Sequence, residues 1–333
     1  MAANLIGLFS RYLLLCAGLI LLNFFLPRLL PGDPLAFSSG EGVDVAVPLS
    51  VAARAQLRSY YHLDRPLRRQ LVSYLGDLSR GDLGQSISRP APVSDLIGDR
   101  LPWTVGLLFG SLGIAAMGGT VAGVVSGWAA GRPRDRFLVS VAGVLVAVPE
   151  FLIAIGLLLI FSVGLGWFPL FGGKTSFAEF GDGPAATTRR ALDVLRHLTL
   201  PAAALVLANT SAFLLLARDT AVGLRHEPWL SVARAKGLAE SKVARNHVLP
   251  NMVYPLLNFA GLRFGAILGG ALVVERIFGV PGLGLLGFEA IRSRDYPVLQ
   301  ALFLLSGLGV LIANFTVDLL QLGLESRRGP RLG

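Results

Sequence analysis

The sequence predicts an all-α integral membrane protein with six transmembrane helices. Only 15% of its 333 residues are charged and 53% are hydrophobic, whereas soluble domains carry about 25% charged residues. The mean hydropathy is +0.63. Apolar runs of about 20 residues, the length that a helix needs to cross a bilayer, recur along the chain. The composition therefore favours a membrane protein over a soluble globular domain.

Six segments have the apolar composition of transmembrane helices. They cover residues 12–30, 103–130, 137–165, 198–217, 252–274 and 298–322. Two of them carry glycines at every fourth position, which lets neighbouring membrane helices approach closely. These are Gly119, Gly123 and Gly127 in one helix and Gly261, Gly265 and Gly269 in another.

The first apolar run resembles a signal sequence. However, no small residues close the run, and Leu15 precedes Cys16, where lipoprotein cleavage requires a small residue. We therefore expect an uncleaved first span. Because Cys16 is the single cysteine, an internal disulfide and a multi-cysteine metal site are excluded.

The distribution of Lys and Arg orients the spans. An even number of spans places both termini on one side, which carries 13 Lys and Arg against 15 on the other side. Eight of those 15 lie in the loop 31–102, and loops longer than about 60 residues are exempt from the positive-inside rule. Without them the comparison is 13 against 7, so both termini are predicted to be cytoplasmic. Loop charge also explains the net charge of +9 better than a nucleic-acid partner, and none is expected.

These spans define the predicted domains. Residues 1–30 form an N-terminal transmembrane helix, 31–102 an external loop, 103–322 a five-helix core with a polar cytoplasmic loop at about 221–251, and 323–333 a cytoplasmic tail.

The external loop is predicted to contain two short amphipathic helices. Residues 48–63 and 66–81 each begin with proline, which is favoured at the first position of a helix. The second segment places one set of apolar side chains on a single face, namely Leu67, Leu71, Tyr74, Leu75 and Leu78. Two roles remain open for these helices: a cap packed on the bundle, or a direct contact with a partner.

No catalytic, metal-binding or cofactor-binding motif is predicted. The segment "FGGKT" at 171–175 resembles the end of a phosphate-binding loop, but Phe168 stands where that loop requires glycine. The segment "GLGLLG" at 282–287 lacks the strand–helix–strand unit of a dinucleotide site. The four histidines have no metal-ligand spacing, and no nucleophile motif occurs.

The polar loop 221–251 reads as a helix, a turn and a second helix. Pro228 lies near the opening turn of the first helix, Gly237 supplies the left-handed residue that commonly ends helices, and Pro250 closes the second. The first helix is rich in small residues, Ser231, Ala233 and Ala235. Small side chains with a basic rim suit a surface pressed into a partner's groove. A loop whose only role was to satisfy the positive-inside rule would not need Gly237 and Pro250 at these positions.

This loop resembles the EAA loop of bacterial ABC-importer permeases. In "VARAKGL", Ala233 and Gly237 match the motif, and "HVLP" at 247–250 follows after nine residues, 238–246. Ser231 stands where the motif has Glu, a departure compatible with the peptide branch of these permeases.

The resemblance extends over almost the whole chain. "LLPGDPL" at 29–35, "LDRP" at 63–66, "GDLGQS" at 81–86 and the long segment "IFGVPGLGLLGFEAIRSRDYPVLQ" at 277–300 occur in order. Together they are similar to the dipeptide/oligopeptide/nickel permease family of binding-protein-dependent importers, specifically the first-permease type with a large loop after the first span.

The resemblance implies a transport subunit that is not itself an enzyme and lies in the bacterial inner membrane. A second, related permease would complete the translocation pathway, two cytoplasmic ATPases would bind ATP and Mg, and an external solute-binding protein would deliver the solute. This chain would then hold no cofactor. The polar loop would couple to the ATPases through Ser231, Ala233, Ala235, Lys236, Gly237 and Leu238, while His247, Leu249 and Pro250 would hold its second helix to the fifth span.

Ionisable residues inside membrane spans are candidates for the solute pathway because burying them in lipid is costly. Glu150 lies midway along the third predicted span and Arg263 midway along the fifth. Asn209, in the fourth, is a weaker candidate. Glu150 and Arg263 either face a polar cavity or pair with each other as a structural bridge.

An ion-coupled secondary transporter is the main alternative function. It would need intramembrane carboxylates as proton sites, and Glu150 is the single mid-span carboxylate. It would also leave the polar loop unexplained. A membrane-embedded enzyme lacks any motif here. The resemblance leaves the solute open among peptides, nickel or metallophore complexes and some glycosides.

Overall fold

A computed structural model describes residues 2–29, 37–38, 47–48, 66–175 and 183–328. Helices dominate these residues. Two short strands, β1 (Phe37–Ser38) and β2 (Val47–Pro48), pair antiparallel, with Phe37 opposite Pro48. The first predicted amphipathic helix, 48–63, lies almost entirely outside the described residues.

The helices follow in chain order. They are α1 (Ala2–Leu29), α2 (Leu67–Ser79), α3 (Val93–Trp128), α4 (Pro133–Ala147), α5 (Glu150–Leu157), α6 (Pro184–Leu224), α7 (Pro228–Ala235), α8 (Glu240–Val243), α9 (Leu249–Phe278), α10 (Leu283–Arg292) and α11 (Tyr296–Arg328). A π-helical turn, Leu158–Gly164, follows α5, and another, Ala244–Val248, joins α8 to α9.

The all-α membrane class is confirmed. In the described part of the chain, four helices are long and apolar enough to cross a membrane, and they include most of α1, α3, α6 and α11. Two bent helix pairs raise the number to six if each pair is one span. The count of six spans stays a prediction.

The segment predicted as one continuous third span, 137–165, is broken. α4 ends at Ala147, and α5 begins at Glu150 after a bend of 99°. Val148 is extended, with φ −86° and ψ 123°, because the ring of a following proline disfavours the helical conformation in the residue before it. Pro149 therefore ends α4, and hydrophobicity alone did not reveal this break.

The chain divides into two compact units. Unit 1 comprises Met1–Thr104 and Pro281–Ile312. Its core joins the start of α3 to α10 and α11 through buried apolar side chains such as Val93, Leu286 and Val298.

Within unit 1, hydrogen bonds join α1 to α11, and an aromatic contact joins α2 to α1. The Asn23 amide donates to the Gln300 carbonyl at 2.9 Å, and the Gln300 amide donates back to the Asn23 carbonyl at 3.2 Å. The Tyr74 ring of α2 lies 5.7 Å from the Phe24 ring of α1. Helix α2 is thus packed on α1, as expected for a cap on the bundle.

A buried carboxylate joins two of the motifs that carried the resemblance. Asp295, only 1% exposed, accepts hydrogen bonds from the Ser86 hydroxyl at 2.5 Å and from the Ser88 hydroxyl at 2.7 Å. Arg89 and Arg100 both pair with Glu289, at 3.0 and 3.3 Å. The "GDLGQS" segment is therefore fixed to the "RDYP" segment, roughly 200 residues away along the chain.

Unit 2 comprises Val105–Val280 and Ala313–Gly333. Helix α6 is central in this unit and packs against α4, α5 and α9. Its contact with α3 runs along the predicted glycines. A methyl group at Gly119 would come within 2.6 Å of the Phe213 Cβ, and one at Gly127 within 2.8 Å of the Ala221 Cβ.

The second glycine series behaves differently along its length. A methyl group at Gly261 would come within 2.9 Å of the Asn314 side chain on α11, whereas one at Gly269 would meet no atom within 4 Å. Close approach in this series is therefore seen at Gly261 and not at Gly269.

We expect Gly123→Ala to destabilise the fold. The new methyl group would lie 2.6 Å from the Ala217 Cβ of α6, and overpacking of this kind costs about 1–3 kcal/mol. Gly118→Ala on the same helix is the matched control, because its methyl group would meet nothing within 4 Å. Thermal unfolding of the purified chain in detergent measures both; equal midpoints for the two variants would contradict the glycine contact.

Candidate functional site

The polar loop folds as a helix, a turn and a second helix, as predicted. Pro228 opens α7, and Gly237 follows the helix with φ +74°. This left-handed conformation favours glycine, since a Cβ would crowd the following carbonyl. The Gly237 N–H donates to the Arg234 carbonyl at 2.8 Å and closes the end of the helix.

One face of α7 is buried against the chain's own helices. Leu230 and Ala233, three residues apart, belong to an apolar cluster that also contains Ala221, Val248 and Met252. Ala233 is only 5% exposed. The structure thus places this predicted partner-contact residue inside the chain's own core, and Leu238 packs against the same cluster.

The opposite face of α7 is exposed. It presents Trp229 and Val232, 38% and 55% exposed, together with Ser231, Ala235, Lys236 and Gly237. The Ser231 hydroxyl donates to the Pro228 carbonyl at 2.5 Å. Trp229 and Val232 escaped the sequence reasoning, although their spacing with Lys236 follows the helical period. We call these six residues the exposed loop face.

The second half of the loop runs into α9 without a break. The sequence predicted that Pro250 ends the second helix, but Pro250 is the second residue of α9. Because proline cannot donate a backbone hydrogen bond, the wider π-helical turn before it lets the chain continue. Two valines of this segment, Val243 and Val248, are fully buried in the same apolar cluster.

The three residues predicted to anchor the second helix lie beside these two valines. His247 is half-buried, and its carbonyl accepts a hydrogen bond from the Asn251 amide at 2.7 Å. Leu249 and Pro250 are exposed. Val243 and Val248 belong to the buried apolar cluster, and the anchoring role of His247, Leu249 and Pro250 stays a prediction.

Glu240 ties the loop to the end of α3. One carboxylate oxygen accepts from the Arg234 guanidinium at 2.8 Å and the other from the Trp128 indole N–H at 3.0 Å. The Arg234 hydrogen bond is the main reason that the pKa of Glu240 lies below its ordinary value. Arg225 strengthens this contact between the loop and α3 by donating to the Gly127 and Trp128 carbonyls. We call Trp128, Arg234 and Glu240 the loop clamp.

A second ionic contact lies near the loop. Arg218 of α6 donates from two nitrogens to the two oxygens of Asp135 in α4, each at 3.0 Å. Asp135 is buried and also accepts from the Ser126 hydroxyl at 2.6 Å and the Gly131 N–H at 2.8 Å. Such bidentate, fully hydrogen-bonded pairs fix geometry as well as charge.

The three predicted pathway residues come together in unit 2. The Asn209 amide of α6 donates to Glu150 at the start of α5 over 3.4 Å, and the Glu150 carboxylate is attracted by Arg263 of α9. Among the described side chains these two charges do not form a direct ion pair. The Arg263 guanidinium lies over the Phe259 ring, 5.5 Å from its centroid. We call Glu150, Asn209 and Arg263 the polar cluster.

Each member of the polar cluster keeps one buried polar atom without a hydrogen-bond partner among the described residues. These atoms are Glu150 Oε2, Asn209 Oδ1 and Arg263 Nε. Two of them accept hydrogen bonds and one donates. In the described part of the chain, no three His, Cys, Asp or Glu side chains come close enough to hold a metal ion.

Known proteins match this architecture. Residues 119–329 match the family described as binding-protein-dependent transport system inner membrane component. The chain is 32% identical over 331 residues to the oligopeptide transport system permease protein AppB of Bacillus subtilis, covering 98% of this chain and 99% of that protein. It is 35% identical over 318 residues to the glutathione transport system permease protein GsiC of Pectobacterium atrosepticum, covering 95% and 94%.

A solved structure shares the fold. The MetNI methionine ABC transporter in an inward-facing conformation superposes with a TM-score of 0.55 at 15% identity, covering 69% of this chain and 96% of that one. The family match spans more than half of the chain, and the relatives align over nearly its whole length. The chain therefore belongs to the binding-protein-dependent transport system inner membrane components, the permease subunits of ABC importers.

Proposed function

We propose that this permease imports peptides or related small solutes, and that the exposed loop face is where it docks on the cytoplasmic ATPases. Relatives over nearly the full length are named as oligopeptide and glutathione permeases, which supports a peptide-like solute. The observation that carries the docking proposal is the two-sided α7. One side is locked into the chain's own core, and the other exposes Trp229 and Val232.

A helix that transmits movement from an ATPase to a permease has to be packed firmly on the permease on one face and exposed to the ATPase on the other. The loop clamp and the buried cluster hold α7 to α3, α6 and α9. The exposed aromatic and apolar side chains are of the type that anchors protein interfaces. When the ATPases close on ATP, the docked loop would move with them and switch the spans between outward and inward access as rigid bodies.

The remaining assignments follow from this role. ATP and Mg would bind to the ATPases, so this chain would hydrolyse no ATP and hold no cofactor. A second permease would complete the pathway, and a solute-binding protein would deliver the solute from outside. Both termini and the loop would face the cytoplasm, consistent with the positive charge of residues 218–251.

Val232→Asp tests the docking proposal. A charge in the middle of the exposed loop face should separate the permease from its ATPases, because burying an unpaired carboxylate in an interface costs several kcal/mol. We expect at least tenfold less ATPase subunit to co-purify with the complex. Ser241→Asp adds the same charge at an exposed position of α8. If Val232→Asp retains the ATPases as well as Ser241→Asp does, docking lies elsewhere.

Gly237 tests the turn. Gly237→Val forces a β-branched residue into φ +74° at a cost of about 1–2 kcal/mol, whereas Gly237→Asn should be better tolerated because asparagine adopts this conformation more readily. A Cβ here meets no other atom, so packing is not the cause of any loss. We expect solute uptake per ATP hydrolysed in proteoliposomes to fall for valine and be largely kept for asparagine. The reverse order would rule out a conformational role.

Glu240→Ala tests the loop clamp. Losing two exposed or half-exposed hydrogen bonds should cost about 1–2 kcal/mol, so uptake per ATP should fall severalfold without vanishing. In the double variant, Arg234→Ala should add little to the effect of Glu240→Ala, because both substitutions remove the same Arg234–Glu240 hydrogen bond. Because the pKa of Glu240 lies below its ordinary value of 4.5, the clamp contributes at neutral pH and is lost only as the pH falls below that value. Glu227→Ala, an exposed glutamate of the same loop, is the control; an equal loss there would contradict the clamp.

A further inference from the structure

The polar cluster combines two charged side chains and one amide from three helices, at a depth where the membrane makes buried charge costly. Glu150, Asn209 and Arg263 come from α5, α6 and α9, each within a segment that the sequence predicts to span the bilayer. Glu150 is the first residue after the 99° bend that ends α4. Irregular backbone at membrane depth is tolerated where it is buried in protein or lines a polar cavity. A charged side chain at this break therefore faces protein or a solvated pathway and not lipid.

The three side chains are held in place by other contacts. Asn209 is 0% exposed, and its amide nitrogen donates to the Leu205 carbonyl at 2.8 Å and to Glu150 at 3.4 Å. The Phe259 ring beneath Arg263 makes an edge-to-face contact with Phe213, with centroids 5.0 Å apart. These contacts orient the amide and guanidinium groups before any ligand arrives.

The unpartnered atoms define what a ligand would have to offer. Glu150 Oε2 and Asn209 Oδ1 accept hydrogen bonds, and Arg263 Nε donates one. Unpaired buried polar atoms are rare in folded proteins, and each calls for an explanation. An ammonium group supplies several donors for the two acceptors, and a carboxylate supplies an acceptor for the guanidinium.

The charges point to one ligand class. The cluster holds one acidic and one basic side chain, and each keeps a buried polar atom without a hydrogen-bond partner among the described residues. A purely cationic ligand would leave Arg263 uncompensated, a purely anionic one would leave Glu150 uncompensated, and a neutral sugar would compensate neither. A zwitterion places an opposite charge beside each side chain.

We propose that Glu150, Asn209 and Arg263 form a binding site for a zwitterionic solute, with Glu150 and Asn209 taking its ammonium group and Arg263 its carboxylate. This inference rests on the proposed function as an importer of peptide-like solutes. It makes the membrane subunit, and not the delivering protein alone, selective for solutes with both ends unblocked.

Direct binding to the transporter tests the site. The full transporter, prepared in lipid nanodiscs without its solute-binding protein, is titrated with L-alanyl-L-alanine, its N-acetyl form and its C-terminal amide. We expect the unblocked dipeptide to bind about tenfold or more tightly than either blocked form, since each modification removes one charge-assisted hydrogen bond. Free L-alanine, titrated in parallel, separates a peptide site from a site that accepts any amino-acid-like zwitterion.

The variants assign the two halves of the site. Glu150→Gln should bind the N-acetyl form as well as the unblocked dipeptide while still rejecting the amide, and Arg263→Gln should show the opposite pattern. Asp318→Asn removes a carboxylate elsewhere in unit 2 and should keep both preferences. A merely structural pair would lower the thermal stability of either variant without moving these preferences.

Three results overturn the inference: no preference in the wild type, no detectable binding of any dipeptide, or unchanged preferences in both variants. Co-purification of the ATPase subunits in the same samples is scored separately. If the ATPases are absent, the proposed function fails, whereas a complete complex without dipeptide selectivity defeats only this inference.

Discussion

The contact between α3 and α6 underlies most of what unit 2 does. Three glycines of α3 let the backbone of α6 approach so closely that even a methyl group has no room. The clamp residue Trp128 ends α3, and Arg218 and Arg225 lie in the last turns of α6 or just after it. The ionic and hydrogen-bonded contacts around the polar loop therefore depend on the register of α3 against α6, which the small volume of these glycines sets.

The short helix α7 has two distinct faces, one buried in the chain's own core and one exposed. Positions 230 and 233 face the chain's own core, and positions 229, 232 and 236 face outward. The helical period thereby separates the buried face of α7 from the exposed face that we propose for docking. The buried apolar contacts are insensitive to salt, whereas the clamp on the rim is partly exposed and adjustable. Rigid apolar packing combined with a partly exposed, salt-sensitive clamp suits a helix that transmits movement.

The sequence predicted what depends on local chemistry and missed what depends on distant neighbours. Hydrophobic runs predicted the membrane class, and Gly237 predicted the left-handed end of α7, because both signals lie within a few residues. The spacing of Leu230 and Ala233 places both on one face of α7, whereas the small size of Ala233 indicates close packing without indicating which surface it packs against. The clamp between Trp128 and Glu240 joins residues 112 positions apart, and no local pattern encodes such a pair. The meeting of Glu150, Asn209 and Arg263 likewise required the tertiary packing of α5, α6 and α9.

The buried Asp295 has a consequence for the order in which the chain is made. Its partners Ser86 and Ser88 are synthesised more than 200 residues earlier, and unit 1 as a whole is assembled from both ends of the polypeptide. Until residues 283–312 are synthesised, the two serines face no carboxylate, and the start of α3 lacks the apolar cover that α10 and α11 supply. Synthesis must therefore be nearly finished before unit 1 closes, so a chain that terminates early leaves the start of α3 without its apolar cover.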